Sequence, residues 1–296
     1  MKKIKILVTL SIIVLCAIPS LGQCEQFKFG IMQDKKGAAV KYRPLLTYLK
    51  IHGIQATFIS AKSYPKAAQM FASNKIDGMF SGSGIAGCMI VKELAIPVVR
   101  PLHKEGWSTY WAVVLAPKGS ARFTQNASYF KDKSVIFCSL ASSGEFFFRS
   151  FKQSADISKK IMKAPSHYAA IDTLSRGLAD IAIVKNRVWD TNRSKYSDII
   201  RVGKDPGENP NGTLIVSKNT KPEMVDKITN VLLGLKQDSS ADAIAVKEKM
   251  KIVGFIKTTL DDFKFTIPLI KKGGLTSHST SSFKDLLKNE KAIIGC

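Results

Sequence analysis

Beyond residue 26 the apolar positions switch repeatedly between a two-residue and a three-to-four-residue period, which predicts alternating strands and helices. Phe27–Met32 alternates as a strand does. Leu45, Leu46, Tyr48 and Leu49 share one helix face over residues 44–50, with Gly53 as the stop. A second strand follows at 56–59. Ser63 can cap a helix running to 73, with Pro65 tolerated in its first turn. Residues 76–80 form a third strand that passes through a Gly/Ser turn into a helix ending near 93. Residues 95–100 form a fourth. Such a β-α-β-α-β-α-β series builds a largely parallel sheet covered by helices.

The pattern then restarts. An apolar run at 110–116 leads into the Pro117-Lys118-Gly119-Ser120 turn, followed by strands at 134–138, 161–163 and 181–184 and helices at 144–151 and 168–176. A Pro/Gly/Asn loop at 205–212 returns the chain to a strand at 213–216, and helices are expected at 222–235, 241–250 and 260–271. The simplest assembly is two α/β lobes joined by two strands, with the C-terminal helices packing back on the first lobe. The expected division is residues 23–115 plus 214–272 for the first lobe and 116–213 for the second. Residues 273–296 are expected to form a weakly ordered tail. The chain's 296 residues also suit two cores better than one.

The N-terminus changes the picture. Lys2, Lys3 and Lys5 precede a short apolar stretch at 6–18, and Ser20-Leu21-Gly22 supplies small residues around a cleavage point. This reads as a secretory signal peptide over 1–22, too short to span a bilayer. A lipid anchor on Cys24 is the less favoured reading, because Gln23 stands where a small residue is wanted. Export to the periplasm follows. The formal charge of +22 falls to +19 once the leader's three lysines are lost. That excess suits an anionic partner, but an exported chain rarely meets nucleic acid, and no basic stretch with interleaved aromatics is present. The mature chain is expected to be a monomer. Its four cysteines, Cys24, Cys88, Cys138 and Cys296, allow three pairings that spacing does not rank.

In open α/β sheets ligands sit beyond the carboxyl ends of strands, where helix starts offer free N–H groups. Two such starts here are rich in hydroxyls: Ser81-Gly82-Ser83-Gly84 and Ser142-Ser143-Gly144. Facing each other across a cleft they would grip a small oxyanion, although the same residues are also ordinary helix caps and turn formers. Gly82, Gly84 and Gly87 spell G-x-G-x-x-G, but after the third strand instead of the first, so a dinucleotide site is not expected. There is no G-x-S-x-G elbow, Walker loop, H-E-x-x-H or C-x-x-C. Neither a hydrolytic enzyme nor a metal site is expected, and no cofactor is called for.

The order Gly30-Ile31, Ser63-Tyr64, Lys75-Ile76-Asp77, Tyr110-Trp111, Ser142-Ser143-Gly144, Ser166-His167, Gly177 to Asp180 and Asn209-Pro210 resembles the phosphate, phosphite and phosphonate binding proteins of ABC importers over residues 27–272. The resemblance implies the two-lobed periplasmic binding fold, type 2 like, with two crossing strands as hinge, here near Leu115 and Thr213. It implies capture of a small phosphorus oxyanion by lobe closure and delivery to a membrane permease. A sensor input and a binder of another organic anion are the alternatives. Carried over residue by residue, it puts Tyr64, Ser142, Ser143, Gly144 and His167 at the ligand. Ser81, Ser83 and Tyr110 join them as candidates. The family's first serine of the hydroxyl turn is Ala141 here, and Ser81 stands where aminophosphonate binders have a tyrosine. The acids that hold an amine fall at Arg187 and Gly212, so an anionic or neutral tail is implied and Arg187 becomes a candidate contact.

Overall fold

The computed structural model describes residues 26–32, 38–61, 64–138 and 142–273. The expected leader, Cys24, Cys296, Ser63, Ala141 and the tail beyond 273 lie outside the described residues.

The first lobe begins with β1 (Phe27–Met32), α1 (Arg43–Ile51), β2 (Ala56–Ala61), α2 (Tyr64–Ala72), β3 (Gly78–Ser81), α3 (Ser83–Val91) and β4 (Ala95–His103). The chain crosses to the second lobe through β5 (Thr109–Tyr110). There it forms β6 (Ala112–Pro117), β7 (Ser134–Cys138), α4 (Ser143–Arg149), α5 (Ser154–Ile157), β8 (Lys160–Ala164), α6 (His167–Ser175), β9 (Ile181–Lys185), α7 (Asn186–Asn192) and β10 (Ile199–Lys204). It returns through β11 (Asn209–Pro210) to β12 (Thr213–Ser217), α8 (Pro222–Gly234), α9 (Ala241–Met250), β13 (Ile252–Lys257) and α10 (Thr266–Lys272).

The two lobes repeat one plan. The first has a six-stranded sheet, β13-β4-β12-β3-β1-β2, and the second a five-stranded sheet, β10-β6-β9-β7-β8. In each, a parallel trio (β2, β1, β3; β8, β7, β9) is extended by an antiparallel strand, β12 or β6, that has just crossed between lobes. The crossing itself is a two-stranded antiparallel ribbon in which Tyr110 pairs with Asn209 and Thr109 with Pro210. The first boundary, expected at 115, falls inside β6, which pairs with β9 and β10 as part of the second lobe's sheet. The chain changes lobes at residues 104–111 and 205–212, on either side of that ribbon.

Polar side chains pin the ribbon. Buried Asp205 accepts hydrogen bonds from the Gly207 N–H at 2.9 Å and the Asn209 amide at 3.2 Å. Thr266 donates to Asn209 Oδ1 at 2.6 Å, tying the ribbon to α10. Arg100 pairs with Asp262 at 2.9 Å while its Nε donates to Ser108, fixing the entry into the crossing.

Each sheet carries an apolar cluster on both faces. The helix α10 serves both lobes: Ile270 is buried in a cluster with Met89 of α3 and Phe146 of α4, and Leu269 also packs into the second lobe's core. Gly87 makes this approach possible, because a Cβ there would meet Ile270 Cδ1 at 2.4 Å. The glycine spacing in α3 thus serves helix packing. An Ile270→Ala variant should lose about 2–5 kcal/mol of unfolding free energy in urea titration, as a large-to-small change at a fully buried site.

Candidate functional site

Three strand ends and the hinge ribbon converge at the lobe junction. The end of β3 delivers Ser81, Gly82 and Ser83, and α3 opens with Ser83 fully buried. Its hydroxyl lies 2.7 Å from the Tyr110 hydroxyl, which lies 2.7 Å from the Ser143 hydroxyl at the start of α4. The Ser83 backbone N–H also donates to the Tyr110 oxygen. One phenol on the hinge therefore links the first helical turns of both lobes. Burial raises the Tyr110 pKa, with the serine hydrogen bonds partly opposing it, so the phenol stays neutral.

The second lobe contributes the charge. His167 opens α6, whose cap, Ser166, accepts from the Ala169 N–H at 3.0 Å. The Lys185 N–H donates to His167 Nδ1 at 3.3 Å, which leaves the ring proton on Nε2. Burial, assisted by the Lys185 charge, lowers the imidazole pKa to about 3, so His167 is a neutral donor at ordinary pH. Lys185 is half-buried, with its ammonium 4.1 Å from the centre of the Tyr110 ring and donating to Asn211 Oδ1 at 2.6 Å. Desolvation, opposed by the buried Cys138 thiol and assisted by the Arg187 charge, brings its pKa down to about 8. Among the described residues no carboxylate lies within salt-bridge distance of this ammonium.

Asn211 continues the network, its amide 3.5 Å from His103 Nε2. His103 stacks on Trp107 at 3.4 Å, and burial lowers its pKa to about 4. Arg187 lies between two indoles, 5.0 Å from Trp107 and 5.6 Å from Trp111. Among the described residues its Nε and the Trp111 Nε1, both buried, have no hydrogen-bond partner. A cavity of about 240 Å³ opens beside Lys185, with Ser81, Gly82, His103, Asn211 and Gly212 on its walls. A larger recess of about 330 Å³ lies at the opposite end of the first lobe's sheet, around Asn74, Asp77 and Ser217. Asp77 there already accepts from the Lys28 N–H, and Lys221 also lines the recess. Among the described residues no cluster of three metal-ligating side chains occurs.

Of the residues singled out in the sequence, Ser83, Tyr110 and Ser143 meet at one point, His167 adjoins Lys185, and Ser81 faces the cavity. Ser142 caps α4 by accepting from the Glu145 N–H at 3.3 Å. Gly144 sits where a Cβ would come 3.1 Å from the Ile183 carbonyl, so it lets α4 start tight against β9. Arg187 is held by aromatic stacking. The Tyr64 side chain lies outside the described residues. Lys185, Asn211 and His103 were not anticipated. Lys185 had a signal: a lone cation at the carboxyl end of an apolar strand, where ligands gather in α/β sheets.

The sequence matches the model of a family described as ABC transporter, phosphonate, periplasmic substrate-binding protein, over residues 29–263. The chain belongs to this family. No curated protein matches the sequence. Among solved structures, XAC2383 from Xanthomonas citri bound to ATP is similar with a TM-score of 0.69 at 15% identity, covering 84% of this chain and 96% of that one. A binding protein component of an ABC phosphonate transporter from Pseudomonas aeruginosa gives 0.64 at 16%, covering 90% and 94%. PhnD1 from Prochlorococcus marinus in complex with methylphosphonate gives 0.64 at 16%, covering 83% and 97%. At such identities these neighbours establish the shared two-lobed fold. In this phosphonate-binding family member, Tyr110→Phe leaves the Ser83 and Ser143 hydroxyls without their common partner. The variant should unfold about 1–3 kcal/mol more easily by chemical denaturation.

Proposed function

We propose that this protein captures a small phosphorus oxyanion between its lobes and presents it to a membrane permease, without chemical turnover. The observation that carries the reading is the Lys185 ammonium, desolvated at the lobe junction and faced by no carboxylate among the described residues. A charge held this way is costly until an anion joins it. Neutral His167 offers its Nε2–H from the same lobe, and the hydroxyls of Ser142, Ser143 and Ser81 lie around the same junction. Hydroxyl and imidazole donors with one ammonium match the tetrahedral oxygens of a phosphoryl group. Export through the N-terminal leader places the capture step in the periplasm.

Binding favours the closed arrangement to the extent that it adds contacts there. The hinge ribbon carries Tyr110 on one strand, and Asn211 follows the other, so the anion's partners are attached to the segments that bend. This positions closure to report occupancy to a permease. Around His103 on the cavity rim the cations Lys185, Arg187 and Lys41 outnumber the acid Glu105, a balance that disfavours a ligand bearing an amine.

The test is isothermal titration of the full chain, expressed with its own N-terminal segment, against phosphate, phosphite, methylphosphonate, 2-aminoethylphosphonate and sulfate. At least one phosphorus anion without an amine should bind, and 2-aminoethylphosphonate should bind at least tenfold more weakly than methylphosphonate. Lys185→Met should weaken the best ligand by about 30-fold or more, the scale of removing one partner of an enclosed charge pair. A panel with no phosphorus anion bound, or an unchanged affinity in Lys185→Met, overturns the reading.

A further inference from the structure

Lys185 does more at the junction than supply a charge. Its backbone N–H donates to His167 Nδ1 at 3.3 Å, so that ring offers only its Nε2–H, a donor. Its ammonium donates to Asn211 Oδ1 at 2.6 Å. With that carbonyl taken, the Asn211 amide nitrogen faces His103 Nε2 at 3.5 Å and occupies the acceptor of the second ring. The Tyr110 oxygen already receives the Ser83 N–H. Through its two nitrogens, Lys185 has therefore used up the imidazole and carboxamide acceptors of the site.

What remains is a set of donors. Two ammonium hydrogens of Lys185 are left over, and among the described residues the His167 Nε2–H finds no acceptor. No carboxylate lines the cavity among those residues. The hydroxyls of Ser81 and Tyr42 can still accept there, but they are neutral and donate equally well. Such a set sorts anions by whether they carry a hydrogen. A tetrahedral anion with bare oxygens meets every donor with an acceptor. One that keeps an O–H sets hydrogen against hydrogen, and an enclosed donor left unmatched is destabilising. Phosphoryl anions lose this hydrogen only above their second pKa, and inorganic phosphate keeps one even as the dianion. Sulfate and sulfonates carry none.

We infer that the site takes fully ionised tetrahedral oxyanions of sulfur as well as of phosphorus, sulfate and alkylsulfonates being the further ligand class, and that it rejects such anions when they bear an O–H. The inference rests on the phosphorus-oxyanion reading for the place of the site, and adds a ligand class and the rule that selects it.

Matched anions test it. At pH 5 methylphosphonate is the hydrogen-bearing monoanion, and methanesulfonate has the same shape and charge without the O–H. Both meet the same protein, so the charges on Lys41, Lys185, Arg187, Glu105, Asp205, His103 and His167 are common to the pair. In calorimetric titration of the full chain, methanesulfonate should bind at least tenfold more tightly than methylphosphonate at pH 5. Sulfate should exceed phosphate by at least tenfold at pH 7. Raising the pH from 5 to 7 should strengthen methylphosphonate tenfold or more and leave methanesulfonate within about threefold.

Asn211→Asp puts a carboxylate acceptor of the same size on the cavity wall. In that variant, with melting checked to confirm folding, the preference for methanesulfonate at pH 5 should fall by tenfold or more. Methylphosphonate bound at pH 7 with neither sulfur anion bound overturns the inference and sustains the oxyanion reading. Phosphate binding as tightly as sulfate, or an unchanged preference in Asn211→Asp, also overturns it. Failure of both phosphorus anions removes the phosphorus reading itself.

Discussion

A desolvated ammonium with no carboxylate to answer it among the described residues sets the terms for the rest of this molecule. Lys185 sits at the end of β9, over the ring of Tyr110 and against Asn211, so its surroundings come from both crossing segments as well as from the second lobe. Folding accepts this cost because the Ile181–Val184 portion of the same strand is buried among apolar neighbours on both faces of the sheet. The stability gained along the strand holds an unfavourable charge at its tip, as sites that await a ligand require.

The crossing ribbon is the second constraint. Tyr110 joins Ser83 to Ser143, Asn209 joins the ribbon to Thr266 of α10, and Arg100 ties the entry to Asp262. Helix α10 packs on both α3 and α4 through Ile270 and Leu269, so the lobes are coupled through this helix as well as through the hinge ribbon. Relative motion of the lobes must work through these few polar links and one shared helix. The ligand groups and the hinge groups are therefore neighbours in a single network.

Much of the fold was legible because the parallel strands and their helices keep clean periodicity: β1, β7 and α9 match their expected spans, and the two-lobe division follows from the restart of the pattern. Two strands were missed for a common reason. Both β10 and β13 are edge strands whose register shifts beside a glycine, Gly203 or Gly254, and a bulge breaks the two-residue alternation on which strand reading depends. The lobe boundary slipped because the apolar run at 110–116 gives no sign of where pairing changes sheets. At the site, hydroxyl turns and His167 could be read locally. Lys185, Asn211 and His103 could not be read as a group, because residues 103, 185 and 211 come together only through the crossing. The glycines of α3 looked like a phosphate loop, yet Gly87 answers to Ile270 of a helix far along the chain.

Proton linkage tests the central claim most directly. With its pKa brought down to about 8, Lys185 is mostly neutral at pH 9, whereas a phosphate monoester used as the probe, with a second pKa near ~6, is already fully charged. An anion on the ammonium raises its pKa, and binding must then draw a proton from solution. Titration calorimetry at pH 9 in two buffers of different ionisation enthalpy should report uptake approaching one proton per anion bound, and none in Lys185→Met. Binding at pH 9 with no proton uptake by the unaltered protein would contradict the account.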